Sequence, residues 1–247
     1  MGAPLPEGDA FVRGLVSGQR GPEEVLSRYT YDATEVKDEL DGEGRVRRRE
    51  TRGFEVFYVR GRPVRHLVSR DGRELTPTER AKEERRAREL AFALRKGEAA
   101  SERPGGRLSR ILERYHVTAM GREEADGRCA LVFDFTARPG EFDLERDKLL
   151  RRLAGRLWVD EEDRAVVRVE IKNTSGLRFA FGLGATVSSF LLRTEFARME
   201  EGVWLPRRLE QSAAGRKLLI KGFHTRTVTT YGNYRRFEVE IEERVQP

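Results

Sequence analysis

The chain has 247 residues, of which 38% are hydrophobic and 36% are charged, and its net charge is +6. This length fits one large all-β or α+β domain or two small ones, and the modest charge permits an anionic partner without requiring one. The single cysteine, Cys129, excludes an intramolecular disulfide and a cysteine-based metal site. No apolar run of about 18 residues is present to span a membrane, and no secretory leader is visible at the N-terminus.

The first 28 residues predict an N-terminal helical segment. Phe11 and Leu15 belong to an apolar stripe at helical spacing, and Pro22 opens a second short helix. The pattern then changes to an alternation of period two, which is typical of strands with one apolar face. It predicts a meander of three strands over residues 29–40, 45–59 and 64–69.

Residues 76–97 predict a long helix that covers part of the sheet. Thr76 is its N-cap, Pro77 occupies the first position, and Glu79 completes a capping box. Gly97 ends the helix. Because its apolar stripe is narrow and confined to the second half, we expect the helix to lie on the sheet surface or over an edge as a lid.

Downstream, the sequence predicts a short helix over residues 108–115 and a hairpin of strands 117–122 and 128–137. A second covering helix is predicted over residues 143–154, with Asp143 as its N-cap. Its leucines would face the sheet.

The most strongly patterned stretch begins at residue 153. Strands 153–160 and 165–171 flank an acidic turn, and a third strand follows at 188–199. Alternation places the apolar residues of each strand on one face of a broad antiparallel sheet. On that face we expect Val167, Val169 and Ile171 of the second strand, and Phe190, Leu192, Thr194 and Phe196 of the third.

The remaining chain predicts further strands. Residues 207–212 and 217–231 alternate, and the small residues of 213–216 indicate a turn between them. Residues 234–242 predict a last strand at the sheet edge.

No catalytic constellation stands out in the sequence. His66, His116 and His224 lack the spacing of metal ligands, and residues 182–184 lack the third glycine of a dinucleotide-binding loop. Arginines are spread along the whole chain, as in proteins from GC-rich genomes, rather than clustered on one face with aromatic residues. We therefore expect no enzymatic activity, no metal, no cofactor and no nucleic-acid partner.

Four segments carry a resemblance to a known family. They are residues 153–160 (LAGRLWVD), 166–170 (VVRVE), 202–207 (GVWLPR) and 231–237 (YGNYRRF). They resemble the bacterial outer-membrane lipoprotein-sorting family, the LolA/LolB-like superfamily, from about residue 29 to the C-terminus. The resemblance implies a periplasmic, strongly curved and unclosed antiparallel β-barrel that is covered by a few helices and holds acyl chains in an apolar cavity. It also implies that no residue is catalytic.

We accordingly expect one α+β domain over residues 1–247, mainly antiparallel β and monomeric, that binds lipid or lipoprotein acyl chains as a carrier or sensor in the cell envelope. Peripheral membrane contact fits this role. The alternative is a structural or regulatory envelope protein that uses the same fold to bind a protein partner. Residues of the loop over 176–184 would form an apolar rim, namely Phe179, Phe181 and Leu183. Candidate cavity residues, each of which could equally be core, are Phe133, Phe135, Val167, Val169, Phe190, Leu192, Phe196 and Ile220.

Overall fold

A computed structural model describes residues 3–18, 22–97, 114–143, 147–179, 185–200, 202–217 and 221–236. Within these ranges the chain forms three α-helices and one antiparallel sheet of twelve strands. The helices are α1 (Gly8–Gly18), α2 (Pro22–Leu26) and α3 (Pro77–Lys96).

The strands follow the chain in two groups, separated by α3. The first group is β1 (Tyr29–Leu40), β2 (Val46–Val59), β3 (Arg62–Arg70) and β4 (Arg73–Glu74). The second group is β5 (Tyr115–Ala125), β6 (Arg128–Ala137), β7 (Leu153–Asp160), β8 (Val166–Asn173), β9 (Leu177–Phe179), β10 (Ala185–Arg198), β11 (Trp204–Lys217) and β12 (Lys221–Arg236).

The strand order across the sheet is β4-β3-β2-β1-β12-β11-β10-β8-β7-β6-β5, and the short β9 pairs with β10. Because the last strand pairs with the first, β12 joins the N-terminal meander to the rest of the sheet. No pairing joins β4 to β5 in the described ranges, so the sheet is curved but unclosed. This confirms the predicted fold class.

The long helix α3 begins and ends where the sequence predicts. The Thr76 side chain accepts a hydrogen bond from the Glu79 amide, and the Glu79 carboxylate accepts one from the Thr76 amide. At the other end Gly97 adopts φ 77°, the left-handed conformation that glycine tolerates best. Helix α3 therefore has both of the caps that its sequence encodes.

The covering helix predicted over residues 143–154 differs from the structure. Leu150–Arg152 form a single 3₁₀ turn, and Leu153 already belongs to β7, where it pairs with Asn173. The Tyr115 hydroxyl donates to the Leu150 carbonyl oxygen at 2.5 Å, which fixes this turn against the sheet. Strand pairing and this hydrogen bond prevail over the local helical pattern. Of the helix predicted over 108–115, residues 108–113 lie outside the described ranges, and Tyr115 lies in β5.

The turn predicted over residues 213–216 is also wrong, because β11 continues through it. Ala213 pairs with Phe190, and Gly215 pairs with Val187 on β10. A Cβ atom at Gly215 would lie 2.0 Å from the Thr186 carbonyl oxygen. Glycine at this position therefore allows two strands to approach each other closely. The strand predicted at the edge is part of β12, which is central as far as Arg236; residues 237–242 lie outside the described ranges.

Two helices pack on opposite faces of the sheet, and we name the faces after them. On the α1 face, Val12 and Leu15 of α1 pack against Phe133 and Leu157, and the ring of Phe11 stacks on that of Phe133 with centroids 5.1 Å apart. The α3 face lies opposite. There α3 packs on β2 and β3 through a small cluster of Val59, Val64, Ala87, Ala91 and Leu94.

On the edge strand β5, two side chains that form an ion pair make hydrogen bonds with the outward-facing amide and carbonyl groups. The Val117 amide donates to the Asp9 carboxylate at 2.7 Å, and Arg138 donates to the Tyr115 carbonyl oxygen at 2.9 Å. Asp9 and Arg138 also bond to each other. Together they replace a neighbouring strand along this part of the edge.

The opposite edge, at β3, carries the same arrangement. The Leu67 amide donates to Glu83 of α3 at 3.0 Å, and Arg86 donates to the Arg65 carbonyl oxygen at 2.5 Å. Glu83 and Arg86 form an ion pair, with a hydrogen bond of 2.8 Å from Arg86 Nε. At both edges, a carboxylate from a helix accepts a hydrogen bond from a backbone amide of the edge strand. The arginine that pairs with this carboxylate donates to the backbone carbonyl oxygen two residues earlier on the same strand.

The core position of Phe133 leads to a stability prediction. Phe133 is fully buried, so Phe133→Ala should lower the free energy of unfolding by about 3–5 kcal/mol. Phe92→Ala, on the outer surface of α3 where the ring is 57% exposed, should change it by less than about 0.5 kcal/mol. Urea denaturation of both variants measures this, and similar losses would contradict the assigned core.

The edge ion pair leads to a pH prediction. Burial acts to raise the pKa of Asp9, but hydrogen bonds from the Val117 amide and Arg138 outweigh it and hold the pKa below its usual range. A lowered pKa stabilises the folded state above the unfolded pKa of about 3.9, and this stabilisation is lost as pH falls through the folded pKa. Asp9→Asn should therefore cost about 1–3 kcal/mol at pH 7 and progressively less below pH of about 4.

The matched control is Glu124→Gln on the same edge strand, where the side chain is exposed. Its unfolding free energy should follow the wild type at every pH. A cost of Asp9→Asn that stayed constant down to pH 2 would contradict the proposed role of the carboxylate charge.

Candidate ligand-binding face

The strand register shows which side chains share the α1 face. Residues directly opposite each other in an antiparallel pair point to the same side of a sheet. Leu157 of the core pairs with Val169, which pairs with Thr194. The row then continues through Leu209, Thr229, Glu35 and Arg52. The α1 face is thus one continuous surface from β7 to β2.

Two of the predicted cavity residues lie in the core beneath α1. Phe133 is fully buried, and Phe135 is 7% exposed. The Phe135 ring meets that of Tyr115 edge to face, with centroids 5.6 Å apart. Since α1 and these neighbours already cover both rings, we assign them to packing.

Val167 lies on the α3 face, contrary to the predicted alternation. The pairing shifts between Trp158 and Val159, which pair with Arg168 and Val166, so Val167 is the extra residue of a β-bulge. Val167 packs with Trp158 instead. The bulge reverses the face of every residue before it, whereas Val169 and Ile171 remain on the predicted side.

Two candidate residues of β10 lie on the α1 face as predicted. Leu192 pairs with Ile171, and Phe190 lies two residues before it on the same strand, so both point to this side. Phe196 follows a shift in the register of β10 with β11, so we do not assign it to the α1 face. Phe190 and Leu192 are half-buried and belong to no core cluster formed by the described residues. They form an apolar surface next to the core, and Val169 packs at the border between the two.

The last candidate and most of the apolar rim fall outside what the structure describes. Ile220, Phe181 and Leu183 lie outside the described ranges. Phe179 ends β9, opposite Ala185 of β10. The candidate face therefore consists of Val169, Phe190 and Leu192 among the predicted residues.

Beyond β11 the rows of the α1 face that contain Thr194, Leu192 and Phe190 become polar. Leu209, Gln211 and Ala213 of β11 pair with Thr229, Thr227 and Thr225 of β12. These three threonines in turn pair with charged residues of β1, which are Glu35, Lys37 and Glu39. A column of threonines thus separates an apolar half of the face from a charged half.

Glu35 anchors the charged half. It is 8% exposed and accepts hydrogen bonds from Arg52 and, at 3.0 Å, from Arg65. The Arg65 guanidinium also lies over the Phe54 ring, 3.9 Å from its centroid. Burial acts to raise the pKa of Glu35, but the hydrogen bonds from the two arginines outweigh it and lower the pKa. Glu35 is therefore an ionised carboxylate that occupies both guanidinium groups.

A tyrosine cluster closes one end of the α1 face. The ring centroids of Tyr231 and Tyr234 lie 5.8 and 5.1 Å from that of Tyr31. Leu26 of α2 packs on this cluster. The Tyr234 hydroxyl donates to the Pro206 carbonyl oxygen at 2.6 Å, and burial raises the pKa of Tyr231 to about 12. The hydroxyls of Tyr231 and Tyr234 therefore remain protonated, and the rings stabilise the fold by packing.

A crevice of about 160 Å³ lies beside this cluster. Ligand pockets usually measure about 300 Å³ or more, so the crevice is too small for a whole lipid. Its walls are Val25, Arg28, Tyr29, Val203 and Arg236.

His116 and Cys129 have polar side chains as neighbours. In the described ranges no three His, Cys, Asp or Glu side chains come together as a metal site. His116 lies 3.4 Å from Asp9, and the Cys129 thiol donates to Glu161 at 3.4 Å. The hydrogen bond to that carboxylate, together with burial, raises the pKa of the Cys129 thiol and so lowers its nucleophilicity.

No helix in the described part of the chain is long and apolar enough to cross a membrane.

No protein-family model and no curated protein matches the sequence. Several solved structures are similar over most of the chain, among them the following three. A DUF1329 family protein from Desulfovibrio piger is 12% identical, covering 96% of this chain and 95% of that one, with a TM-score of 0.39. An outer-membrane lipoprotein-sorting protein domain from Vibrio parahaemolyticus is 11% identical, with coverages of 96% and 94% and a TM-score of 0.38.

The third is a LolA superfamily protein from Nitrosomonas europaea, 11% identical, with a coverage of 94% of each chain and a TM-score of 0.39. The similar structures thus include the family that the sequence resembles. The assignment of the fold itself rests on the strand order and register described above.

Proposed function

We propose that this protein binds the acyl chains of a lipid or lipoprotein on its α1 face, without catalysing a reaction, as a carrier or sensor in the periplasm of a bacterium. One observation carries the proposal. Phe190 and Leu192 form a half-buried apolar surface that continues the core but belongs to no core cluster of the described residues. The sequence resemblance to lipoprotein-sorting proteins supports the ligand class and the location.

The energetics of this surface suit an acyl chain. Burial of one methylene stabilises a complex by about 0.8 kcal/mol, so about fifteen methylenes contribute roughly 12 kcal/mol. Association costs at least about 4 kcal/mol in lost translational and rotational freedom. The remainder of at most about 8 kcal/mol corresponds to a dissociation constant of about a micromolar or weaker, which suits a carrier that must also release its ligand.

The alternative is a structural or regulatory envelope protein that uses the same fold to bind a protein partner. One way to bind such a partner, the addition of a strand to the sheet, has little support. Strand addition requires free backbone groups at an edge. At Val117 and Tyr115 on one edge, and at Leu67 and Arg65 on the other, ion pairs already occupy these groups. We therefore place the binding site on the α1 face rather than at an edge.

The β10 strand offers a matched pair of substitutions to test the site. Leu192 lies on the α1 face and pairs with Ile171, whereas its neighbour Leu191 lies on the α3 face and pairs with Lys172. Both are half-buried. Leu192→Asp should weaken binding of a fluorescent fatty acid tenfold or more, because it places a charge among acyl methylenes. Leu191→Asp should leave the affinity within about twofold of the wild type.

Thermal unfolding of both variants serves as the folding control, since each substitution introduces the same charge on the same strand. An equal loss of affinity in the two variants would contradict a site on the α1 face. A wild-type protein that binds no fatty acid, phospholipid or acylated peptide, and yields none in an organic extract, would overturn the proposed function.

A further inference from the structure

Two neighbouring cross-strand rows of the α1 face change from apolar to charged. One row runs from Ile171 through Leu192, Gln211 and Thr227 to Lys37. The next begins at Phe190 and passes through Ala213, Thr225 and Glu39 to Arg48. A surface with this gradient matches a molecule that is itself apolar at one end and charged at the other.

The length of the apolar half fits one acyl chain. Three inter-strand steps separate β8 from β12, and each step is about 4.8 Å, so the distance along the sheet is roughly 14 Å. One leaflet of a bilayer, half of a hydrocarbon core of about 30 Å, is roughly 15 Å deep. A chain whose end lies over Ile171 therefore places its head group near the threonines of β12, next to β1.

The charged half carries an excess of positive charge. Five basic and three acidic side chains of β1, β2 and β3 point to the α1 face. They are Lys37, Arg48, Arg52, Arg65 and Arg70, with Glu35, Glu39 and Glu50.

Two of these basic groups are available to a ligand. Glu35 occupies Arg52 and Arg65, and Arg70 lies 4.0 Å from Glu50. Lys37 and Arg48 form no ion pair with any described residue, although Glu50 and Glu39 lie opposite them across the β1–β2 pair. Both belong to the rows that begin at Ile171 and Phe190.

We propose that the ligand is an anionic amphiphile whose phosphate or carboxylate head group binds Lys37 and Arg48, while its chain lies on β8, β10 and β11. This inference rests on the proposed function and specifies its substrate class. Cationic side chains near a lipid head group contribute about 1 kcal/mol each, so the two together should favour an anionic over a neutral head group by roughly 10- to 30-fold.

The test compares four single-chain probes of equal chain length: a fatty acid, an alkyl phosphate, a fatty alcohol and a fatty-acid methyl ester. The wild type should bind the two anionic probes roughly 10- to 30-fold more tightly than the two neutral probes. The ratio between the fatty acid and the alkyl phosphate then distinguishes a carboxylate from a phosphate head group.

Substitutions on the two faces of the sheet show which residues cause the preference for anionic probes. Lys37→Gln with Arg48→Gln should abolish the preference for anionic probes and leave the affinity for the neutral probes unchanged. The control, Lys172→Gln with Arg88→Gln, removes the same two charges from exposed positions on the α3 side of the sheet and should keep the preference. Glu35→Gln should tighten binding of anionic probes only, because it releases Arg52 and Arg65, and a gain in affinity cannot result from unfolding.

Equal affinity of the wild type for all four probes, or a preference that survives removal of Lys37 and Arg48, would overturn the anionic site and leave acyl binding intact. Failure of all four probes to bind would instead contradict the proposed function itself. The two failures are therefore distinguishable.

Discussion

An unclosed sheet has two edge strands whose outward amide and carbonyl groups lack a neighbouring strand. The rest of this fold depends on which side chains form hydrogen bonds with those groups. At β5 the groups of Tyr115 and Val117 bond to Arg138 and Asp9. At β3 those of Arg65 and Leu67 bond to Arg86 and Glu83 in the same geometry. Exposed edges invite pairing with other chains, so these ion pairs favour a sheet that remains open and unpaired.

An open sheet keeps part of its α1 face accessible. Helix α1 covers the end of that face formed by β5 to β7, and Leu26 of α2 packs on the tyrosine cluster. Between these two covered regions the register places Phe190 and Leu192 beside β11, which is followed by the threonines of β12 and then by charged residues of β1. A closed barrel would have to fill this space with side chains, whereas the half-open one can accept a chain from outside.

The opposite face shows that this gradient is not a general feature of the sheet. On the α3 face, cross-strand ion pairs join Arg156 to Asp134 and Arg193 to Glu170, close to apolar residues such as Trp158. Charges of both signs alternate there over short distances. In the described part of the sheet, the α1 face has rows that pass from a continuous apolar region to a charged one.

Local sequence signals predict elements whose ends are marked by capping or turn residues. They miss features that depend on the pairing of strands distant in the sequence. Thr76, Pro77 and Gly97 mark both ends of α3, and the hairpin around residue 162 follows from its acidic turn. The bulge at Val167 has no glycine or proline to mark it, so simple alternation assigns the wrong face. Gly215 resembles a turn residue but serves close strand packing.

The charged half of the candidate site could be predicted only in part. Glu35, Lys37 and Glu39 alternate with the same period as Tyr31 and Ala33, so the sequence of β1 already indicates that they share a face. That this face continues onto Phe190 depends on the pairing of β1 with β12, about 200 residues away, which no local pattern records.

Photochemical cross-linking of a fatty acid with a diazirine near its chain end tests the central claim most directly. After illumination and proteolysis, mass spectrometry should find the label on β8, β10 or β11, at residues of the α1 face such as Ile171 or Leu192. Label confined to α3 and the α3 face, or no label that an excess of unlabelled fatty acid displaces, would contradict acyl binding on the α1 face.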